Sequence, residues 1–117
     1  MNKQEIGRWG EELAARFLEE KGYRIIQRNF RYDRGEIDIV ALDGLEIVFV
    51  EVKARESDAF GPPEESVTPH KEEQLKKVAE GYLFERGIEN QPCRFDVVAI
   101  TFGGGKPNIR LLQNAIT

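Results

Sequence analysis

Residues Gly35 to Arg55, GEIDIVALDGLEIVFVEVKAR, constrain the fold of this chain more than any other stretch. Two β-rich runs flank Asp43-Gly44, a dipeptide that favours two-residue hairpin loops because both residues tolerate positive φ. With Asp43-Gly44 as the whole loop, Leu42 pairs with Leu45 and Glu36 falls opposite Glu51. Strand side chains alternate faces, so Glu36 and Asp38 share a face with Glu51 and Lys53, beside Val40, Ile47 and Phe49. Three carboxylates and one ammonium on one patch are costly. Unit charges about 4 Å apart interact by roughly 4 kcal/mol at a surface-like dielectric, and like charges across a ladder destabilise it. A divalent cation removes that cost, and hard ions such as Mg²⁺ take oxygen ligands. The geometry depends on register, because a one-residue slip sends Glu51 and Lys53 to the other face.

The second run, Ile47 to Val52, is nearly continuous apolar, as expected of a central strand covered on both faces. A Glu and a Lys at its end are expensive to bury unless paired or metal-bound. Upstream, Asn2 and Glu5 have capping-box spacing. Ile6, Trp9, Leu13, Ala14, Phe17 and Leu18 then form an apolar helical stripe, read as core-facing, that ends at Gly22. Glu11 and Glu12 lie in its first turns, where acidic residues suit the helix dipole and exposure is the default. Tyr23 to Tyr32 predicts the first strand. Its Arg24, Arg28 and Arg31, with Arg34 just beyond, interleave with Phe30 and Tyr32. This fits phosphate contact and base stacking, and it equally fits a solvated strand face with arginine stems laid over it.

Downstream, Arg55 to Val67 reads as a surface loop through Gly61-Pro62-Pro63. Thr68-Pro69 starts a second helix with stripe Leu75, Val78, Ala79, Tyr82 and Leu83. Lys71 in its first turn is a candidate phosphate contact, although Glu72 and Glu73 beside it favour a solvated face. His70 reads as a surface residue. Arg94 to Phe102 predicts a buried strand, and Asn108 to Leu112 a short last one. The triple glycine between them is no phosphate cradle, because no helix follows it. The order is therefore α-β-β-β-α-β-β, an α/β (α+β) mixed sheet whose fourth strand crosses over to run parallel to a central one.

At 117 residues the chain is expected to be a single domain, residues 1–117, that buries a core without staples. A lone cysteine, Cys93, fits a reducing cytoplasm, and no apolar run reaches transmembrane length. The net charge of −4 argues against a generic nucleic-acid-coating protein. Of 17 Lys/Arg and 21 Asp/Glu, residues 1–34 hold eight and six, which leaves nine and fifteen for the remainder. The basic excess sits at the start.

Asp38 followed by Glu51-Val52-Lys53 on the next strand resembles the D-(x)n-E-x-K signature of the PD-(D/E)xK nuclease superfamily, and the element order is similar to its restriction-endonuclease-like core. Ile37 stands where the superfamily name has proline. Over nearly the full length the chain resembles the YraN-like family of bacterial proteins, related to archaeal Holliday-junction resolvases. The segments that carry this are Gly10-Glu11-x-x-Ala14, Asn29-Phe30-Arg31, Gly35-Glu36-Ile37-Asp38, Phe49-Val50-Glu51-Val52-Lys53, Phe60-Gly61 and Arg94-Phe95-Asp96-Val97-Val98.

The resemblance implies catalytic Glu11, Asp38, Glu51 and Lys53, with Mg²⁺ (Mn²⁺ as a substitute) held by Asp38, Glu51, the Val52 carbonyl and Glu11. Glu12 is the alternative helix ligand and Glu36 an accessory carboxylate. Arg28, Arg31, Arg34 and Lys71 would contact nucleic acid, expected to be DNA, and symmetric cutting would require a homodimer. Phosphodiester hydrolysis needs an in-line water and charge neutralisation, both of which metal ions supply. Two other readings compete. One is a non-catalytic nucleic-acid-binding module of nuclease fold in repair or recombination complexes. The other is a protein-interaction scaffold with a surface salt-bridge cluster, which the imbalance of three acids to one base disfavours.

Overall fold

The computed structural model describes residues 1–116. Its elements are α1 (Lys3–Glu20), β1 (Arg24–Tyr32), β2 (Gly35–Asp43), β3 (Glu46–Arg55), a 3-10 turn (Pro63–Ser66), α2 (Pro69–Glu85), β4 (Cys93–Thr101) and β5 (Asn108–Leu112). The strands form one sheet in the order β1-β2-β3-β4-β5. Only β3 and β4 run parallel; the other neighbours are antiparallel. The 3-10 turn lies in the stretch read as a plain loop.

Both helices start as their caps direct. Asn2 and Glu5 exchange hydrogen bonds in a full capping box, and the Thr68 hydroxyl accepts from Lys71 N. Gly22, at φ 94°, lets the chain leave α1 in the left-handed region. Ala14, Ala15 and Leu18 of α1 pack on Ile39, Ala41, Val48, Val50, Val98 and Ile100. On the other face, Leu75, Val78, Ala79 and Tyr82 of α2 pack on Phe30, Ile37, Val40, Ile47 and Phe49. Tyr82 meets Phe30 and Phe49 edge-on, at 5.1 and 5.7 Å between ring centroids. The sheet is thus sandwiched between the helices, and β3 is covered on both faces as its run of apolar residues requires.

Two expectations are corrected. Trp9 is not core but 42% exposed, beneath the Arg16 guanidinium. The buried stripe of α1 is Ile6, Gly10, Ala14, Ala15 and Leu18, because the helix approaches β3 too closely for bulk: a Cβ on Gly10 would lie 2.7 Å from Ala54 Cβ. The hairpin register also differs. Asp43 pairs with Glu46 and Leu42 with Ile47, so the loop is Gly44-Leu45. Gly44 has φ 63° and Leu45 is not at positive φ, which is the II′ pattern with glycine first rather than the expected Asp-Gly arrangement. Arg94 decides this choice. It reaches both ends of the loop, Asp43 Oδ2 at 2.8 Å and Glu46 Oε1 at 2.7 Å. The shift spans two residues, an even number, so Glu51 and Lys53 keep their face.

Candidate metal centre

The pairing of β2 with β3 stops at Ile39–Val50. Glu36 is therefore not paired with Glu51. Instead, Asp38 Oδ2 accepts the Val52 N–H at 2.8 Å, a side chain standing where a ladder carbonyl would otherwise accept. At the same level Asn29 of β1 turns to φ 53°, between the pairs Arg28–Ile39 and Phe30–Ile37, while the register shift of β1 lies earlier, between Ile25 and Gln27. Asparagine is among the few non-glycine residues that tolerate this region. Strict alternation breaks here, and Ile37 packs under α2 while Ile39 packs under α1. This local kink in the backbone re-aims the side chains beside it.

The kink gathers carboxylates from two elements. Glu11 on α1 and Glu36 and Asp38 on β2 each place an oxygen within 4.8 Å of the others. The Asn29 amide donates to Glu11 Oε1 at 2.9 Å and to Glu36 Oε1 at 3.3 Å. Glu51, 4% exposed, joins through a hydrogen bond with the Asp38 carboxyl. On its other side stand Lys53 Nζ at 3.6 Å and Lys71 Nζ at 3.4 Å from Glu51 Oε2.

Burial first, then the hydrogen bond and charge of Glu51, and also the charge of Glu11, push Asp38 up to about 9, against the lowering effect of the Val52 N–H. Asp38 thus favours its protonated form, facing Glu51. Of three oxygens around one octahedral Mg²⁺ at most one pair stands opposite, about 4.2 Å apart, while neighbouring oxygens lie about 3 Å apart. The Glu11–Glu36–Asp38 group would draw together to hold such an ion, and its all-oxygen donors suit a hard cation.

Glu12 does not enter this group. It faces outward to Arg28, 3.0 Å away, and to Arg16, and the Arg28 hydrogen bond holds its carboxyl below the ordinary range. Of the two adjacent glutamates the structure brings Glu11 inward. Arg31 Nε is 2.8 Å from Glu36 Oε2 on an otherwise exposed side chain. Arg34 stands apart, at a cleft between the β1–β2 turn and α2. Lys71, the candidate phosphate contact on α2, has its Nζ 3.4 Å from Glu51 Oε2. His70 is exposed, as expected. Sequence reasoning assigned Asn29 no role; its one signal is an αL-tolerant residue inside a strand of apolar and basic neighbours.

Gly10 sets how near Glu11 comes. Gly10→Ala is expected to push α1 off Ala54 and lower stability by about 1–3 kcal/mol, as overpacking does. Urea unfolding checks this; an unchanged midpoint would mean that the helix shifts freely.

A second polar cluster lies on the α1 side of the sheet, between the first half of β4 and the β2–β3 loop. Asp96, fully buried, accepts from Arg94 Nε at 3.0 Å, Tyr23 OH at 3.0 Å and Asn114 N at 2.9 Å. Gln113 donates to Tyr23 OH at 2.9 Å. Every buried side-chain polar atom among the described residues has a partner. The cluster is a structural clamp.

The fold and site together define a mixed α/β protein whose central hairpin carries a lysine-flanked carboxylate cluster. The sequence model of the uncharacterised protein family UPF0102 matches residues 10–100, and the chain belongs to that family. It is 50% identical to the UPF0102 protein of Symbiobacterium thermophilum, over 94% of both chains. It is also 50% identical to that of Syntrophomonas wolfei, over 98% of this chain and 99% of the other. With the Dehalococcoides mccartyi protein it shares 44% identity over 98% and 95%. Among the described residues, no helix is long and apolar enough to cross a membrane.

Proposed function

We propose that this protein is a Mg²⁺-dependent endonuclease of restriction-endonuclease-like type that hydrolyses DNA phosphodiester bonds. One observation carries the reading: a buried, hydrogen-bonded pair of carboxyls, Asp38 and Glu51, with two lysines on Glu51 and two further carboxylates, Glu11 and Glu36, beside Asp38. A structural salt bridge needs one acid and one base. Here four carboxyls are balanced by Lys53, Lys71, the Arg31 guanidinium on Glu36 and a proton on Asp38, and a cation would take the place of that proton.

Asp38, Glu11 and Glu36, whose oxygens lie together, would hold the ion, with Glu51 beside Asp38 and the Val52 carbonyl on the same strand as further ligands. Bound there, Mg²⁺ supplies charge neutralisation and a water of lowered pKa. Asp38 would bind such an ion as the carboxylate, without the proton that its burial favours. Lys53 orients the attacking water and offsets charge that develops on the phosphate, which is the largest demand of phosphoryl transfer. Lys71 holds Glu51 from the α2 side, so that Lys53 can turn toward substrate without leaving that carboxylate unpaired. Arg28, Arg31 and Arg34 on β1 and its turn give phosphates a basic edge.

Titration of Mn²⁺ into wild type and Asp38→Asn, followed by electron paramagnetic resonance of the free ion, tests this without a chosen substrate. Saturable uptake by wild type that the substitution removes is expected, with metal-dependent cleavage in a screen of branched, flapped and linear DNA. No uptake by wild type, even with DNA present, sinks the catalytic reading and leaves a non-catalytic nucleic-acid-binding module.

A further inference from the structure

We infer that the cleft between the β1–β2 turn and α2 is a stacking pocket for an unpaired nucleobase of the strand whose phosphodiester bond lies at the carboxylate cluster. The inference rests on the nucleic-acid reading of that cluster and adds a substrate class: strands with unpaired nucleotides beside the reacting bond.

The cleft encloses about 570 Å³, within the range of roughly 300–1,000 Å³ usual for small-ligand sites. Two of its lining residues, Tyr32 and Phe84, are aromatic. The Tyr32 ring lies over Gly81, where a Cβ would come 2.4 Å from Tyr32 Cγ, so glycine is required for the ring to settle there. Phe84, one turn further along α2, is 80% exposed at the cleft with no aromatic partner. Gln74 adds an amide that both donates and accepts, as base edges require. Arg34 and Lys77 are offset by Asp33 and Glu80. The cleft is therefore close to electrically neutral and suits a base better than a phosphate, while stacking on aromatics tolerates any base.

Position ties the cleft to the cluster from two sides. Gly35 lines it, and Asp38 is three residues further along β2, about 10 Å at the rise of a strand. That span covers about three stacked nucleotides of one strand, and fewer when they are splayed. Along α2, Lys71, Gln74, Lys77, Gly81 and Phe84 recur at three- and four-residue spacing and so share one face. The first of them contacts Glu51, and the rest line the cleft. One helix face thus runs from the candidate metal centre to the cleft with its two aromatic residues. In a duplex both faces of each base are already stacked, so only an unpaired nucleotide can enter.

The test compares a fluorescein-labelled duplex bearing a short single-stranded overhang with the same duplex blunt, by fluorescence anisotropy in EDTA. Wild type should prefer the overhang by about fivefold or more, the lower bound for stacking one base. Phe84→Ala removes an exposed ring without opening the core. It should abolish the preference and leave blunt-duplex affinity unchanged, while Phe84→Trp retains the preference. A preference unchanged in both Phe84→Ala and Tyr32→Ala overturns the inference. So does a wild type that binds overhang and blunt duplex equally. A Phe84→Ala protein that changes from dimer to monomer in sedimentation, with oligonucleotide binding unaltered, also overturns it, in favour of a second copy seated on the cleft. Because EDTA removes metal, failure of Mn²⁺ uptake would sink the nuclease reading while an overhang preference still stands.

Discussion

Asp96→Ala is expected to lower stability by about 3–5 kcal/mol, a large part of the 5–15 kcal/mol typical of a domain. Asp96 is fully buried and takes hydrogen bonds from the Arg94 guanidinium, the Tyr23 hydroxyl and the Asn114 N–H. Its removal leaves those donors facing a cavity, and a buried donor without a partner carries its full desolvation cost. Arg94 would keep Asp43 and Glu46 at its rim but lose the buried partner. Burial alone would lower the Arg94 pKa; the hydrogen bonds to Asp96, Asp43 and Glu46 outweigh it and hold the guanidinium firmly charged. Asp96→Asn keeps the shape and some acceptors and should cost less. Denaturant unfolding of both variants provides the check, and a loss under about 1 kcal/mol for the alanine variant would refute the clamp. Asp96 pairs with Val50, next to Glu51, but its carboxylate meets Tyr23 on the α1 side of the sheet, whereas Glu51 meets Lys71 of α2 on the other. Folded Asp96→Asn should therefore still take up metal.

Asp38→Asn is expected to make a more stable but inert protein. Its carboxyl is raised from 3.8 to about 9 by burial and by Glu51, so the folded state holds a proton that the unfolded chain releases above pH about 4. The stability this group contributes is complete below that pH and is lost as pH climbs through the folded value. Metal-free wild type should therefore melt progressively lower between about pH 5 and pH 9. Asparagine does not titrate. Its amide can donate to Glu51 in place of the Asp38 proton and its oxygen can still accept from Val52 N–H. The variant should thus show a flatter profile and, at pH 8 in EDTA, a higher Tm.

Added Mg²⁺ should reverse the order. On the proposed reading it is expected to stabilise wild type by about 2.7 kcal/mol at a concentration one hundred times its Kd, to release a proton on binding, and to leave the variant unmoved. Any cleavage activity should fall by about two orders of magnitude or more, the consequence of losing several kcal/mol of charge stabilisation. Thermal melts across this pH range, with and without Mg²⁺, supply the readout. A wild-type Tm that rises with pH in EDTA would show that Asp38 is ionised in the folded protein and would remove the basis for a proton on Asp38.

Much of this molecule follows from local chemistry that a single sequence displays. The caps at Asn2 and Thr68, the αL exit at Gly22 and the apolar run of Ile47 to Val52 set the elements and their order, because each depends on near neighbours in the chain. Period-two alternation placed Glu51 and Lys53 together, and it survived a mistaken loop because the error was an even number of residues. Tertiary contacts decided the rest. Arg94, 48 residues beyond Glu46, reaches across to both ends of the hairpin loop and selects Gly44-Leu45 over Asp43-Gly44. Close approach of α1 to Ala54 replaced Trp9 with Gly10 on the buried stripe. Above all, the candidate centre forms where regular pairing fails. Asn29 in the left-handed region and the Asp38–Val52 hydrogen bond turn Glu36 toward Glu11. Periodicity assumes an unbroken ladder, so it names which residue types lie on the hairpin but not the kink that brings their carboxylates to one point.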